Sequence, residues 1–237
     1  ISACLVGSEM CIRDRFGNNA KPRNVEKCIQ SWKSVLSDYR FIEWNEENFD
    51  VSYNEYTLEA YTAKKYAFVS DVARLKALYE YGGIYLDTDV MVYKKFDSIL
   101  KEKCVFGFEE KQFIATSFMA CEKDNGFIKQ FLDYYSETKY GDMKTNVVVV
   151  TNLLEKRGLK RNNQKQLLDG SIAIYPQEFF SPYDYINCVM KKTGQTICVH
   201  LYYVSWAKKS EKFSRVLKSF LVKIIGVDNM ERLRRKT

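Results

Sequence analysis

The chain has 237 residues, 46% hydrophobic and 15% aromatic, with a formal net charge of +7. Such a length and core content fit one sizeable α/β domain and exclude a low-complexity or disordered chain. No run approaches the roughly 20 apolar residues of a membrane-spanning helix. Seven scattered cysteines without a C-x-x-C pair argue against a zinc knuckle or a disulfide framework, and for reduced, buried thiols in a cytosolic protein.

In chain order, residues 1–15 (ISACLVGSEMCIRDR) carry neither helix nor strand periodicity, and they lack the basic lead and apolar centre of a signal peptide. They are set apart as a leader, foreign to the fold or disordered, although Cys4, Leu5 and Val6 are apolar enough for a strand. Val25, Ile29, Trp32, Val35 and Leu36 share one face of a helix. A short strand follows in YRFIEW, then a mostly helical stretch from Tyr56 that Gly82 or Gly83 stops. IYLDTDVMVY reads as one strand and KCVFGFEE as another. NGFIKQFLDYYSE and NVVVVTNLLEKRG read as helices, SIAIY and QTICVH as strands. Alternating helices and strands without an internal linker favour a layered α/β domain over residues 16–206, its sheet mixed and mainly parallel.

Residues 207–237 differ in character. Lys208, Lys209, Lys212, Arg215, Lys218 and Lys223 alternate with Phe213, Val216, Leu217, Phe220, Leu221 and Ile224 at helical spacing, and Arg232, Arg234, Arg235 and Lys236 follow. This is a basic amphipathic helix, either docked on the domain or lying on an anionic membrane surface through residues 208–236. Nucleic acid is not expected, since no aromatic-plus-basic recognition motif accompanies the charge.

The chemistry concentrates between residues 70 and 89. On a strand, Tyr85, Asp87 and Asp89 share one side. Acids inside an apolar run call for a positive partner, an ion or an arginine, unless the strand end is wet. Carboxylates suit Mg²⁺ or Mn²⁺, which bridge a substrate's phosphates. Asp71 and Arg74, three residues apart, lie on one helical face that the Gly-Gly turn folds back beside the strand. A structural Asp–Arg bridge beside solvated acids explains the same residues without any reaction. A haloacid-dehalogenase-type phosphatase also begins with a strand ending D-x-D, but its later acid motif is incomplete here: GDMKTN from Gly141 lacks the second acid. His200, the one histidine, fits a structural role or a metal ligand.

Taken together, Ser70, Asp71, Arg74, Leu78, Gly82, Gly83, Tyr85, Asp87 and Asp89 match without a gap the signature of glycosyltransferase family 32, the D-x-D sugar-binding-region family, and the chain resembles its bacterial members. The resemblance implies a GT-A fold and retaining, metal-dependent transfer of a hexose from a nucleotide-diphosphate donor, UDP before GDP. The acceptor would be a glycan or lipid-linked glycan of cell-envelope polysaccharide, such as capsule or lipopolysaccharide, reached from the cytoplasm or its membrane face. Asp71 and Arg74 would hold donor-sugar hydroxyls, Tyr85 would shape the donor pocket, and Asp87 and Asp89 would carry Mn²⁺ or Mg²⁺ and contact the donor. Ser205 and Trp206 match the family's closing Ser-Trp at the diphosphate. His200 matches a late metal-binding histidine, while Leu201 stands where many members have a second. Of the family's opening strand, which resembles IPKIIHYCWFG, only Phe16-Gly17 remains, so a sugar-nucleotide binder impaired in catalysis stays an alternative.

Overall fold

The computed structural model describes residues 10–14, 16, 22–109, 113–139, 141, 144–185, 187 and 189–203. The expected tail, Ser205, Trp206 and most of the leader lie outside the described residues. From the leader, Met10–Asp14 forms β1, which pairs in parallel with β2 (Arg40–Trp44) on one side and β3 (Gly83–Leu86) on the other. The seven-stranded sheet continues through β6 (Phe118–Cys121), β5 (Cys104–Gly107), β8 (Ile172–Tyr175) and β7 (Gln166–Leu168), in the order β2-β1-β3-β6-β5-β8-β7. Parallel pairing was expected to dominate. Instead β6 enters antiparallel between β3 and β5, and β7 antiparallel to β8, so half of the six pairings are antiparallel. FMAC is a short apolar run bounded by polar residues, too brief for its period to distinguish strand from loop.

Helices cover both faces. On one, α2 (Glu55–Thr62), α3 (Tyr66–Tyr81), α4 (Gly126–Glu137) and α5 (Asn146–Glu155) pack around Val72, Leu75, Tyr85, Phe106, Met119 and Phe131. On the other, α1 (Arg23–Val35) and the short α6 (Gln177–Phe180) meet Ile84, Leu86, Val90, Phe118 and Phe180. The period-2 alternation of β3 thus sends Ile84 and Leu86 to one core and Tyr85 to the other, as expected. The helical stretch before it divides at Lys64, whose φ is 57°.

α3 is the central helix. Its buried face holds Ser70, Asp71 and Arg74 as well as Val69, Val72 and Leu75, so polar groups are carried into the core where they must find partners. It stops at Gly82, where φ is +68° and an added Cβ would lie 2.6 Å from the backbone nitrogen of Lys123. Only glycine meets both conditions.

The strand expected over residues 84–93 is two strands. After Leu86 the chain leaves the large sheet in a turn closed by Val90 N–H donating to Asp87 O (3.0 Å). It re-enters extended structure as β4 (Val90–Val92), paired antiparallel with β11 (Cys198–His200) in a separate two-stranded sheet. β9 (Tyr183–Asp184) and β10 (Val189–Met190) form a second small ribbon. Cys11, Cys28, Cys104, Cys121 and Cys198 are free, buried thiols. Among the described residues, no helix is long and apolar enough to cross a membrane.

Candidate active site

The turn between β3 and β4 carries Asp87, Thr88 and Asp89, and three neighbours fix its shape. Asp87 N–H donates to Ser117 O at 2.9 Å, tying the turn to the start of β6. The Tyr85 hydroxyl donates to Asp87 Oδ1 at 2.7 Å. Arg74 brings Nη1 to 3.1 Å from the same oxygen and Nη2 to 3.4 Å from Asp71 Oδ1. Its guanidinium lies over the Tyr85 ring, 4.5 Å from the centroid, and also donates to Ser70 O and Thr116 O. One buried arginine therefore organises both acidic motifs.

The register of β11 places His200 opposite Val90, immediately after the turn. Its Nε2 stands 3.2 Å from Asp89 Oδ1 and 3.9 Å from Asp87 Oδ2. One ligand atom from each of Asp87, Asp89 and His200 lies within 4.8 Å of the other two. Asp89 is further held by Tyr203 N–H on Oδ2 (2.8 Å) and Leu201 N–H on its carbonyl (3.1 Å). The Tyr202 ring lies against the imidazole, 3.9 Å between centroids and tilted by 35°. Asp87 and His200 open onto a cavity of about 540 Å³, shared with Asp71, Arg74, Glu109, Asn146, Tyr185 and Tyr202.

A family model described as "Glycosyltransferase sugar-binding region containing DXD motif" matches residues 22–106, the span from α1 through the turn. Over those residues, fewer than half of its length, the chain is similar to a DXD glycosyltransferase sugar-binding region. The match covers α3, β3 and the D-x-D turn itself, while Ser117 before β6 and His200 on β11 lie beyond it. It favours a glycosyltransferase over the phosphatase reading. An uncharacterised Arabidopsis thaliana protein, At4g19900, is 30% identical over 118 residues, covering 48% of this chain and 18% of its own. Human lactosylceramide 4-alpha-galactosyltransferase is 24% identical over 173 residues, covering 66% of this chain and 46% of its own. The chain thus spans less than half the length of these curated relatives. A solved structure titled PaToxG glycosyltransferase shares the fold, with a TM-score of 0.51 and 20% identity over 62% of this chain and 68% of its own. The fold is GT-A.

Within this DXD region, charge and burial oppose one another. Burial pushes the Asp89 carboxyl up, but the facing His200 charge, their hydrogen bond and the Tyr203 N–H outweigh it and hold Asp89 below its ordinary value. Burial likewise disfavours a charged His200, yet Asp89, then Asp87 and Glu109, raise its pKa above the ordinary 6.5. Without an ion, the Asp89 carboxylate and the His200 imidazole each favour the other's charged form.

The donor set fits a divalent cation. Ligands about 2.1 Å from an octahedral ion, at right angles, are about 3 Å apart, close to the His200–Asp89 spacing. Two carboxylates and an imidazole suit Mn²⁺, and Mg²⁺ with more water. Arg74 does not block the position, because it occupies Oδ1 of Asp87 while Oδ2 faces His200.

The structure brings Asp71, Arg74, Asp87, Asp89 and His200 together. Tyr85 is fully buried and acts through Asp87 and Arg74 instead of lining the cavity. Asn146, which sequence reading passed over, donates to Asp71 Oδ1 at 2.5 Å from the first turn of α5. Tyr185, Tyr202 and Glu109 were also missed. None carries a local motif; their position follows from the packing of β5, α5, β9 and β11 about the turn.

Proposed function

We propose that the chain is a retaining, metal-dependent glycosyltransferase moving a hexose from a UDP-sugar to a glycan or lipid-linked glycan of the cell envelope. The observation that carries this reading is the convergence of Asp87, Asp89 and His200 beside a cavity already lined by Asp71 and Arg74. The name of the human relative puts galactose first among the sugars to test and a glycolipid among the acceptors.

In this reading Asp87, Asp89 and His200 would hold Mn²⁺ or Mg²⁺. When bound there, such an ion would supply charge neutralisation for a departing diphosphate. Arg74 keeps Asp87 aimed, and with Asp71 and Asn146 it presents a fixed set of donors and acceptors to sugar hydroxyls. Such groups are oriented before substrate arrives, so little reorganisation is needed at the reacting centre. Asp71 and Asp87 are both held by Arg74, which makes them poor nucleophiles and supports same-face attack by the acceptor hydroxyl. Ser205 and Trp206 would approach the diphosphate. The basic segment 208–236 would keep the enzyme on the cytoplasmic membrane face, near a lipid-linked acceptor.

A donor panel with Mn²⁺ or Mg²⁺ added, or withdrawn with chelator, tests the reading. Metal-dependent release of nucleoside diphosphate from a sugar donor supports it. Hydrolysis of an aryl phosphate without nucleotide sugar would favour a phosphatase, and donor binding without turnover a non-catalytic binder.

A further inference from the structure

Among the described residues β4 belongs to a sheet of two strands, so one of its edges has no described strand beside it. Toward β11, Asp89 O accepts from Leu201 N–H and Tyr93 N–H donates to Ile197 O. Alternation then turns the Val90 carbonyl and the Val92 N–H the other way, into the buried interface with α1. Both residues are essentially inaccessible, so these groups need partners. α1 supplies them from its side chains. Trp32 Nε1 donates to Val90 O at 2.6 Å, and Val92 N–H donates to Ser31 Oγ at 3.0 Å, while Ser31 in turn donates to Cys28 O. The helix stands in for a missing third strand.

We propose that Trp32 and Ser31 are positioning residues for the metal ligands, fixing the D-x-D turn relative to His200. This inference rests on the metal-dependent reading above. Val90 is the common point: it follows Asp89 directly, pairs with His200 across the ribbon, and is bonded by Trp32 from behind. A shift of β4 against α1 therefore moves Asp89 and the strand holding His200. Sequence reading placed Trp32 on the apolar face of α1, where its ring does pack; the indole N–H is the additional role.

The test is Mn²⁺ affinity of the full chain, measured by calorimetry and by the electron paramagnetic resonance of free Mn²⁺, alongside thermal midpoints. W32F keeps an aromatic ring and loses the donor; S31A loses the acceptor with little change in volume. Groups that orient metal ligands typically govern affinity by 10–100-fold, so W32F is expected to weaken Mn²⁺ binding about tenfold and S31A about threefold. F96L, in the same core but off the β4 edge, is expected to lower the thermal midpoint with Mn²⁺ affinity within about twofold of wild type. If W32F does not fold, S31A carries the test. Wild-type affinity in the folded variants, or equal weakening in F96L, would overturn this inference alone. Failure of the wild type to bind Mn²⁺ would overturn the metal reading and this inference with it.

Discussion

Arg74 and His200 take opposite oxygens of one carboxylate: Arg74 Nη1 stands 3.1 Å from Asp87 Oδ1, and His200 Nε2 stands 3.9 Å from Asp87 Oδ2. The permanent cation secures the side chain through one oxygen and leaves the other directed at His200 and Asp89. Asp87 therefore belongs both to the arginine network in the core and to the ligand set at the cavity.

Replacing Arg74 should separate those roles. R74K keeps a charge but not the planar fork that reaches Asp71, Asp87 and two carbonyls together. Transfer is expected to fall at least about 100-fold, near 2.7 kcal/mol of transition-state stabilisation. R74A should also cost stability, about 3 kcal/mol in urea unfolding, the lower end of the range for breaking a buried pair because Asp87 is a quarter exposed. An R74A protein of wild-type stability would contradict the network.

The His200–Asp89 pair predicts a pH dependence of the metal-free protein. The folded-state pKa of His200 is raised, so its contribution is complete below the ordinary 6.5 and lost as pH rises through the raised value. Asp89 is lowered, so its contribution is present above the ordinary 3.8 and lost only as pH falls through the depressed value. The thermal midpoint of wild type relative to H200Q should decline as pH rises above about 6.5. Mn²⁺ affinity should climb over the same interval, since the ion displaces the imidazole proton. A pH-independent difference between the two proteins would contradict the pairing.

Gly82 joins the helix of the Asp71–Arg74 pair to the strand leading into the D-x-D turn. G82A forces a side chain into a left-handed φ and against the Lys123 backbone. A loss of about 1–3 kcal/mol is expected, measured by denaturant midpoint. Unchanged stability would mean that the α3–β3 connection relaxes freely.

Glu109 lines the cavity without belonging to either motif, and it distinguishes the two routes by which the proposed retaining transfer could proceed. Same-face attack leaves E109Q with transfer within about tenfold of wild type. A covalent route through Glu109 would drop it by several orders of magnitude, because an amide cannot act as the nucleophile.

Much of this site was legible because its residues are local. Ser-Asp-x-x-Arg, Gly-Gly and Tyr-x-Asp-x-Asp occupy twenty consecutive positions, and helix and strand periods alone bring Asp71, Arg74 and Asp87 near one another. The shape of the turn was not legible. Alternation placed Asp87 and Asp89 on one side of a continuous strand, whereas the hydrogen bond from Val90 to Asp87 breaks the strand between two sheets. Asn146 was hidden for a different reason. It opens a helix read correctly from its apolar run, but its contact with Asp71 spans 75 residues and depends on how α5 docks against α3. Trp32 was placed on the correct helix face, while its polar atom's partner, 58 residues away, could not be inferred from that face.

The most direct measurement is anomalous diffraction at the manganese edge from crystals soaked with Mn²⁺ and UDP. The account predicts one strong peak about 2.0–2.3 Å from Asp87 Oδ2, Asp89 Oδ1 and His200 Nε2, with the diphosphate on its open side. Diphosphate bound without manganese there, or manganese held elsewhere in the cavity, would contradict it.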